Sequence, residues 1–345
     1  MIYFSNIIGK DMDFRNLDRT WVVAEIGVNH EGDYDCAVDM IRKAAGSGAD
    51  AVKFQTFRTE YYVSTEQPER FTRAKGFELE QSQFTQLASV AKECGVTFFS
   101  TPLHNDDIDF LKTIAPLIKI SSGDLTHLSL IEHAAKTGLP LILSTGLGTQ
   151  EEIASAIRAV EHVRPDIREE GDLMLMHCVA AYPTPAEQAN LKNISWLQDN
   201  FGLPVGYSDH TLGTKACELA VAVGAVALEK HFTYRKEDQS FHDHHISANP
   251  TDLAELVSAV RNAEAYLGKY ERQRGEEELK LLQHMRRSLG AVRDLKAGNV
   301  ITAEDLTYLR PAWGLQPEQF DSVIGRSLVK DIVSGALIRE EDLAS

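Results

Sequence analysis

Residues that can bind anions or transfer protons stand at the ends of short apolar runs. Glu25 ends the first run, and Lys53 and Gln55 stand two residues apart near the end of the second. In an extended strand, residues two apart face the same side, so Lys53 and Gln55 should point together while Phe54 points into a helix layer. A buried lysine needs an anion to offset its desolvation. We interpret Lys53 as a binding or catalytic group and treat a mere salt bridge to Glu25 as the alternative.

A second cation and several hydroxyl groups end other runs. Lys119 lies in KISSGD, Ser144 in LSTG and Ser208 in GYSDH, and glycines nearby permit close approach of the backbone. Such groups gathered at one rim can bind a phosphate and a carboxylate. Each serine alone would be an ordinary strand end, so this prediction depends on the whole set.

Two histidines and a glutamate end the last two runs. His210 follows the seventh run, and Glu229 and His231 share one face of the eighth. Two imidazoles and a carboxylate on adjacent strands can bind a divalent metal and leave positions open for water and substrate. The alternative is a pair of satisfied core histidines. In the HDHH tract at 242–245, adjacent residues cannot all point inward, so we expect most of the tract on the loop surface.

The apolar runs alternate with amphipathic helical stretches along the chain. The runs are WVVAEIG, AVKFQTF, VTFFSTP, LIKISSG, LILSTG, LMLMHC, LPVGYSDH and AVALEKHF. About eight strand-and-helix units in alternation predict a (β/α)8 TIM barrel. An open doubly wound sheet would carry its ligand at one switch point, whereas here polar residues end nearly every strand. In a barrel those strand ends form the active site.

The composition changes after the helical stretch TDLAELVSAVRNAEAYLG. We predict a barrel domain over 1–270, a charged linker or solvated helix over 271–287, and a small, mostly β domain over 288–345.

Charge and composition exclude several classes of protein. The chain has 35 basic and 51 acidic residues, a formal charge of -16, which repels nucleic acid. No apolar stretch approaches the roughly 20 residues of a membrane span, and no leader precedes the first strand, so we expect a cytoplasmic protein. The four cysteines are far apart, which argues against a zinc cluster or a disulfide framework, and we expect buried thiols.

The strand-end motifs also carry a family resemblance. The motifs AEIGVNHEGD, KFQT, FSTP, KISSGD, LSTG, HCVAAYPTP, GYSDHT and LEKHFT, in this order, resemble the sialic acid synthase family. The segment from Ser288 resembles that family's antifreeze-like SAF domain. The resemblance implies condensation of phosphoenolpyruvate with an N-acylmannosamine-like aldose and water, which gives a nine-carbon α-keto acid and phosphate.

The resemblance also implies a role for each matching residue. His210 and His231 would hold a divalent metal, Mn²⁺ first and Mg²⁺ or Co²⁺ as alternatives, and Glu25, Glu229 and Asp243 would be the catalytic carboxylates. The phosphoenolpyruvate site would comprise Lys53, Thr101, Lys119, Ser122, Ser144 and Ser208, and the sugar site would include Gln55 and Tyr182. Strand alternation would place Ser121 beside Lys119, whereas the motif favours Ser122, and we follow the motif because the chain turns there.

Two departures from the family pattern concern the sugar. Ala180 replaces an asparagine found in N-acetylneuraminate synthases, which removes a hydrogen-bonding group and suggests a different aldose. The tail has RPAWG, with Trp313, where the family commonly has glycine after the proline. By resemblance Arg310 would reach the sugar in the neighbouring subunit, which implies a homodimer; the alternative is a surface arginine.

Three other functions stay open at this point. A Schiff-base aldolase or lyase would use Lys53 or Lys119 as its nucleophile. A 3-deoxy-sugar-phosphate synthase would need more basic residues near the sugar, and it would lack the SAF-like tail. A non-catalytic sugar-binding or ice-binding protein would require Glu25, Lys53 and the histidines to be incidental.

Overall fold

The computed structural model describes residues 12–236, 241 and 243–344, and within them eight parallel strands close into a barrel in sequence order, β8 pairing with β1. The strands are β1 (Trp21–Gly27), β2 (Ala51–Thr56), β3 (Thr97–Pro102), β4 (Ile118–Ile120), β5 (Leu141–Ser144), β6 (Leu173–Cys178), β7 (Val205–Asp209) and β8 (Ala227–His231). Each strand arises from one of the predicted apolar runs. The predicted barrel is confirmed.

Helices surround the barrel and connect successive strands. They are α1 (Tyr34–Gly46), α2 (Thr59–Tyr62), α3 (Pro68–Phe77), α4 (Gln81–Glu93), α5 (Asn105–Leu111), α6 (Leu128–Ala135), α7 (Gln150–Val163), α8 (Ile167–Glu170), α9 (Lys192–Phe201), α10 (Lys215–Ala222), α11 (Asp243–Ile246) and α12 (Pro250–Leu267). Local sequence explains several helix starts. Thr149 and Asn249 each accept a hydrogen bond from a backbone N–H of the first turn of α7 and α12, which satisfies a donor that the helix itself leaves unpaired.

The strands alternate between the barrel interior and the helix layer, as their register requires. Lys53 pairs with Glu25 across β1 and β2, and the neighbouring Phe54 packs outward against Phe84 of α4 and Phe98. At the opposite end of the barrel Trp21 stacks on Phe99 at 5.6 Å between ring centroids. The polar groups of β1 and β2 are therefore held at the carboxyl ends of the strands, above an apolar layer.

A buried ion pair joins β7 to β8 on the helix-facing side. Lys230 donates to Asp209 Oδ2 at 2.8 Å and to the carbonyl of Thr211 at 2.6 Å. Asp209 is fully buried and also accepts hydrogen bonds from Tyr207 Oη and the Thr211 N–H. Since His210 and His231 are the next residues along these two strands, this pair fixes the backbone that presents both imidazoles.

Replacing Lys230 by methionine should reduce the free energy of unfolding by about 3–5 kcal/mol, because the Asp209 carboxylate would stay buried without its cation. A denaturant titration followed by circular dichroism measures the loss. The matched control is Lys215→Met, which breaks an exposed ion pair with Glu218 and should cost less than about 1 kcal/mol. Equal losses in the two variants would contradict a structural role for the buried pair.

The chain divides into two compact units, Met1–Gly268 and Lys269–Ser345. In the second unit, α13 (Glu276–Met285) precedes β9 (Ser288–Ala291) and β10 (Leu306–Leu309), which pair antiparallel, and a short helix α14 (Phe320–Val323) follows. Its own apolar core comprises Leu289, Ala291, Leu295, Ile301, Leu306, Leu315, Val323, Leu328, Ile332, Ile338 and Leu343. A small module with an antiparallel sheet is therefore present at the end of the chain, as predicted, and α13 precedes that sheet.

The cysteines are only partly as predicted. All four are free, and Cys178 and Cys217 are buried, but Cys36 and Cys94 are partly exposed. Among the described residues, no helix is both long and apolar enough to span a bilayer.

Candidate active site

A cavity of about 750 Å³ opens at the carboxyl ends of the barrel strands. The predicted site residues that line it are Glu25, Lys53, Gln55, Thr101, Lys119, Ser122, Ser144, Tyr182, Ser208, His210, Glu229, His231 and Asp243. Arg310 belongs to the second unit, where its side chain is exposed. The barrel thus brings together every candidate of the first unit.

Two lysines and two glutamates form a buried network at the floor of the cavity. Lys53 Nζ lies 3.2 Å from Glu25 Oε1 and 3.3 Å from Glu229 Oε2, and Lys119 Nζ lies 3.0 Å from the same Glu229 oxygen. All four side chains are nearly inaccessible to water. The salt bridge between Lys53 and Glu25, considered above as an alternative, is present, but Lys53 also faces the cavity.

The network sets the charge of its members. Burial raises the pKa of Glu25 to about 7, because the attraction of Lys53 does not fully offset the loss of water and Glu229 adds repulsion. Burial also acts on Glu229, but the attraction of Lys119 and Lys53 outweighs it and lowers the Glu229 pKa. The Lys119 pKa is lowered, by burial first, while Glu229 opposes the shift. Glu229 is therefore the anionic partner of both lysines, and Glu25 can gain or lose a proton near neutral pH.

Hydroxyl groups surround this network. Ser208 donates to Glu229 Oε1 at 2.9 Å, and Lys53 donates to Thr101 at 3.3 Å. Ser122 accepts a hydrogen bond from the N–H of Gly146, and Ser121, which also lines the cavity, donates to Asp124.

Both serines that follow β4 therefore lie at the cavity. The strand ends at Ile120, and a 3₁₀ turn over Ser122–Asp124 follows at once. Strand alternation no longer applies beyond Ile120, so it cannot decide between Ser121 and Ser122.

The two predicted metal-binding histidines lie side by side, with 5.4 Å between ring centroids. The Nδ1–H of His210 donates to the carbonyl of Val179 at 2.7 Å, which leaves Nε2 with the lone pair. His231 Nδ1 is buried, lies 3.8 Å from Asp243 Oδ2 and makes no hydrogen bond within the described residues. Burial lowers the pKa of both imidazoles. Both are therefore neutral, the form that binds a metal.

The fit to a metal is limited to these two nitrogen ligands. In the part of the chain that the structure describes, no group of three or more His, Cys, Asp or Glu side chains is arranged to hold a metal ion. The orphaned Nδ1 of His231 and the fixed tautomer of His210 nevertheless suit an ion whose other ligands are water or substrate.

The predicted sugar contacts line the upper part of the cavity. The ring of Tyr182 lies 4.1 Å from that of His210, and the side chain is 46% exposed. Gln55 and Ala180 line the same space. An aromatic face and an amide beside the histidines suit a polar ligand with an apolar substituent.

The prediction for the HDHH tract is wrong where it can be checked. Asp243 and His244 are buried in α11, and only His245 is exposed; His242 lies outside the described residues. His244 bonds Thr233 at 2.7 Å and Glu31 at 3.0 Å, so it connects α11 to the loop after β1. The turn of helix separates the inward side chains from the outward one, an arrangement that a loop would not give.

Several cavity residues had no signal in the strand-end motifs. Arg70, Arg73 and Phe77 line the cavity from α3, and Phe241 lines it from the loop after β8. One feature of the sequence could have indicated them. It has an additional helical stretch between β2 and α4, whereas one barrel unit requires a single helix, and additional segments after barrel strands commonly carry site residues.

Comparisons with known proteins find matches for both units of the chain. The NeuB family matches residues 40–272 and the SAF domain matches residues 286–344. The chain is 37% identical to an N,N'-diacetyllegionaminic acid synthase of Legionella pneumophila, with 94% of both chains covered. It is 33% identical to a pseudaminic acid synthase of Campylobacter jejuni, covering 96% of this chain and 98% of the relative.

A solved structure shares the fold as well. The N-acetylneuraminic acid (sialic acid) synthetase of Leptospira borgpetersenii, solved with citrate, superposes with a TM-score of 0.72 at 34% identity. The superposition covers 76% of this chain and 90% of that one. Because one family model covers most of the barrel and the other covers the end of the chain, this chain belongs to the NeuB family and ends in a SAF domain.

Proposed function

We propose that the chain condenses phosphoenolpyruvate with an N-acylmannosamine-type aldose and water, which gives a nonulosonic acid and phosphate. The observation that carries the proposal is the pair of buried lysines beside two neutral histidines at the end of one barrel. The named relatives, which make legionaminic and pseudaminic acids, support the same class of reaction.

The floor of the cavity suits phosphoenolpyruvate. The phosphate and carboxylate of phosphoenolpyruvate can accept hydrogen bonds from Lys53 and Lys119 and from the hydroxyls of Thr101, Ser122, Ser144 and Ser208. An added anion would also favour the protonated form of Lys119, whose pKa burial lowers. Charged hydrogen bonds in a site that excludes water are the strongest available to such a ligand.

The reaction needs a base beside the floor. The C3 carbon of phosphoenolpyruvate forms a bond to the aldehyde carbon, and water then adds to C2. Glu25 accepts one proton of that water; the resulting C2 hydroxyl then becomes the keto group as the bond from C2 to the ester oxygen breaks, and its proton leaves with the phosphate. Glu229 and Asp243 contact the sugar or carry its protons. A carboxyl whose pKa lies near the working pH is well suited to accept a proton.

His210 and His231 would hold a divalent metal, which we propose to be Mn²⁺, with Mg²⁺ and Co²⁺ as alternatives. When bound, such an ion polarises a carbonyl oxygen as a Lewis acid. The hydrogen bond from His210 to Val179 orients one of the two ligands.

A chelator should abolish phosphate release, and added Mn²⁺ should restore it. The variant His210→Gln should lose both Mn²⁺ binding, measured by calorimetry, and turnover. His104→Gln is the matched control, since His104 is a partly exposed histidine outside the cavity lining. Full turnover after complete removal of metal would contradict the assignment.

The primary test is phosphate release from phosphoenolpyruvate across a panel of aldoses: N-acetylmannosamine, 2,4-diacetamido-2,4,6-trideoxy hexoses and phosphorylated aldoses. Ala180, where an asparagine would add a hydrogen bond, makes an aldose other than N-acetylmannosamine a necessary member of the panel. Release with any of them supports the synthase. Trapping of pyruvate on a lysine by borohydride would instead support a Schiff-base enzyme, which the lowered pKa of Lys119 permits.

We further propose a homodimer in which Arg310 reaches the sugar site of the partner subunit. Arg310→Ala and His210→Gln should each be impaired alone. Equimolar mixing of the two variants should then restore about a quarter of the wild-type activity, because half of the dimers would be mixed and each would contain one complete site. No recovery in mixed dimers, with dimer formation confirmed by light scattering, would contradict the arrangement.

A further inference from the structure

The one-turn helix α11 carries Asp243 at the edge of the cavity. Asp243 lines the cavity, and its Oδ2 lies 3.8 Å from His231 Nδ1. Helices shorter than about 12–15 residues are marginal in water on their own, and α11 has only 4 residues. The position of Asp243 therefore depends on the contacts that hold α11 against the rest of the barrel.

His244, the next residue along α11, connects the helix to two other segments. Its side chain is fully buried, with Nδ1 2.7 Å from Thr233 Oγ1 just after β8 and Nε2 3.0 Å from Glu31 Oε1 in the loop after β1. The rings of Tyr234 and Phe241 meet the imidazole edge to face, at 6.2 and 6.1 Å between centroids. Because both nitrogens are hydrogen-bonded and two aromatic rings enclose it, the imidazole is held in one orientation.

A second connection holds the same turn through its backbone. Ser247 Oγ donates to the carbonyl of Asp243 at 2.6 Å and accepts a hydrogen bond from Asn29 Nδ2 at 3.0 Å. The same amide nitrogen donates to the carbonyl of Phe232, the residue after His231, at 2.8 Å. Asn29 and Ser247 are each 1% exposed. One side-chain amide thus ties the backbone of Asp243 to the backbone that follows His231.

The backbone that receives these connections is itself fixed to the barrel. The Phe232 N–H donates to the carbonyl of Glu25 on β1 at 2.7 Å, and the Thr233 N–H donates to the carbonyl of Ala248 at 2.9 Å. The Ala248 N–H in turn donates to the carbonyl of His231 at 2.7 Å. Hydrogen bonds inside a protein are stronger than those exposed to water. The segment after β8 therefore gives α11 a fixed frame beside the cavity.

We infer that His244 and Ser247 are positioning residues that hold the Asp243 carboxylate at the cavity. The inference rests on the proposed function, in which Asp243 contacts the sugar or carries its protons. Neither His244 nor Ser247 lines the cavity, so each acts through Asp243 rather than on the substrate. Displacement of a reacting group by about 1 Å can lower a rate about 100-fold, so release of α11 should slow turnover strongly.

The first test is steady-state phosphate release by the full-length protein, with phosphoenolpyruvate and the most active aldose of the panel. His244→Ala should lower kcat by about 10- to 100-fold. The KM for phosphoenolpyruvate should stay close to that of the wild type, because the lysines at the floor are untouched. Ser247→Ala removes a single oxygen atom and should also lower kcat, which keeps the test decisive if His244→Ala does not fold. His245→Ala, the exposed neighbour on the same turn, is the matched control and should keep the wild-type kcat.

A double variant shows whether His244 acts through Asp243. Asp243→Asn should lower kcat, and addition of His244→Ala should lower it no further, because a positioning residue has no effect once the group that it positions is lost. A double variant whose loss is the product of the two single losses would overturn the inference. Unchanged kcat in His244→Ala and Ser247→Ala, or full turnover in Asp243→Asn, would overturn it as well.

Hydrogen exchange followed by mass spectrometry tests the connections without reference to activity. The backbone amides of residues 243–248 should exchange faster in His244→Ala than in the wild type, whereas His245→Ala should leave their exchange unchanged. If no aldose of the panel releases phosphate, the proposed function fails, and exchange still decides whether His244 holds α11. Unchanged exchange in His244→Ala would overturn the inference whatever the turnover.

Discussion

Replacing Lys119 by methionine should lower kcat/KM for phosphoenolpyruvate by about 10²- to 10³-fold, the loss typical for one preorganised donor to a reacting oxyanion. Lys119 is 1% exposed, and its nearest anion is Glu229 at 3.0 Å. Without this ammonium group, the Glu229 carboxylate would repel the phosphate or carboxylate of phosphoenolpyruvate more strongly. Steady-state phosphate release measures the effect, and the exposed Lys112→Met serves as the control.

The same substitution should also destabilise the barrel, so activity and stability have to be separated. Removing one member of a buried ion pair costs about 3–5 kcal/mol. The double variant Lys119→Met, Glu229→Gln removes both charges and should recover most of that stability. It should not recover turnover. Recovery of turnover along with stability would mean that Lys119 serves only to neutralise Glu229.

Replacing Glu25 by glutamine should lower kcat by about 10²- to 10⁴-fold, the range for loss of a general base, and should also remove a pH dependence. Burial raises the pKa of Glu25 to about 7, so the carboxyl is protonated below that pH and ionised above it. A base works in its ionised form. The wild-type rate should therefore rise with pH through about 7 and then level, whereas the residual rate of the glutamine variant should show no such rise.

The direction of this pH profile tests the role of Glu25. A wild-type rate that falls as pH rises through 7 would mean that Glu25 acts as an acid, and the assignment as base would be wrong. Glu31→Gln is a useful comparison, because Glu31 lies in the loop after the same strand and contacts His244 rather than the lysines. Its profile should keep the rise.

The barrel, and the gathering of most candidate residues at one cavity, could be predicted because period-two alternation fixes both at once. Once Phe54 is assigned to the helix layer, Lys53 and Gln55 must face the interior, and closure of the barrel brings them near Glu25 and Glu229. The pattern could not show that Lys53 both forms an ion pair with Glu25 and faces the cavity. Ion pairing with Glu25 and exposure to the cavity are compatible, because one ammonium group can contact several oxygens.

Residues beyond the strand ends were harder to predict. Ser121 and Ser122 follow a strand of three residues, so the turn after Ile120 decides where they point. Asp243 and His244 face inward because α11 forms there, and a helix of one turn leaves almost no periodic signal. Arg70 and Arg73 lie on a helix whose position depends on contacts with the loop after β1, distant in sequence.

Side chains that line the cavity become more exposed to solvent from Lys119 at the floor to Arg70 on α3, and this has a kinetic consequence. A ligand bound at the mouth, between Tyr182 and α3, stands in the way of any molecule that must reach the floor. On the proposed function, we therefore expect phosphoenolpyruvate to enter the cavity before the aldose. On the same basis, we expect the free phosphate, formed at the floor, to leave after the nine-carbon product.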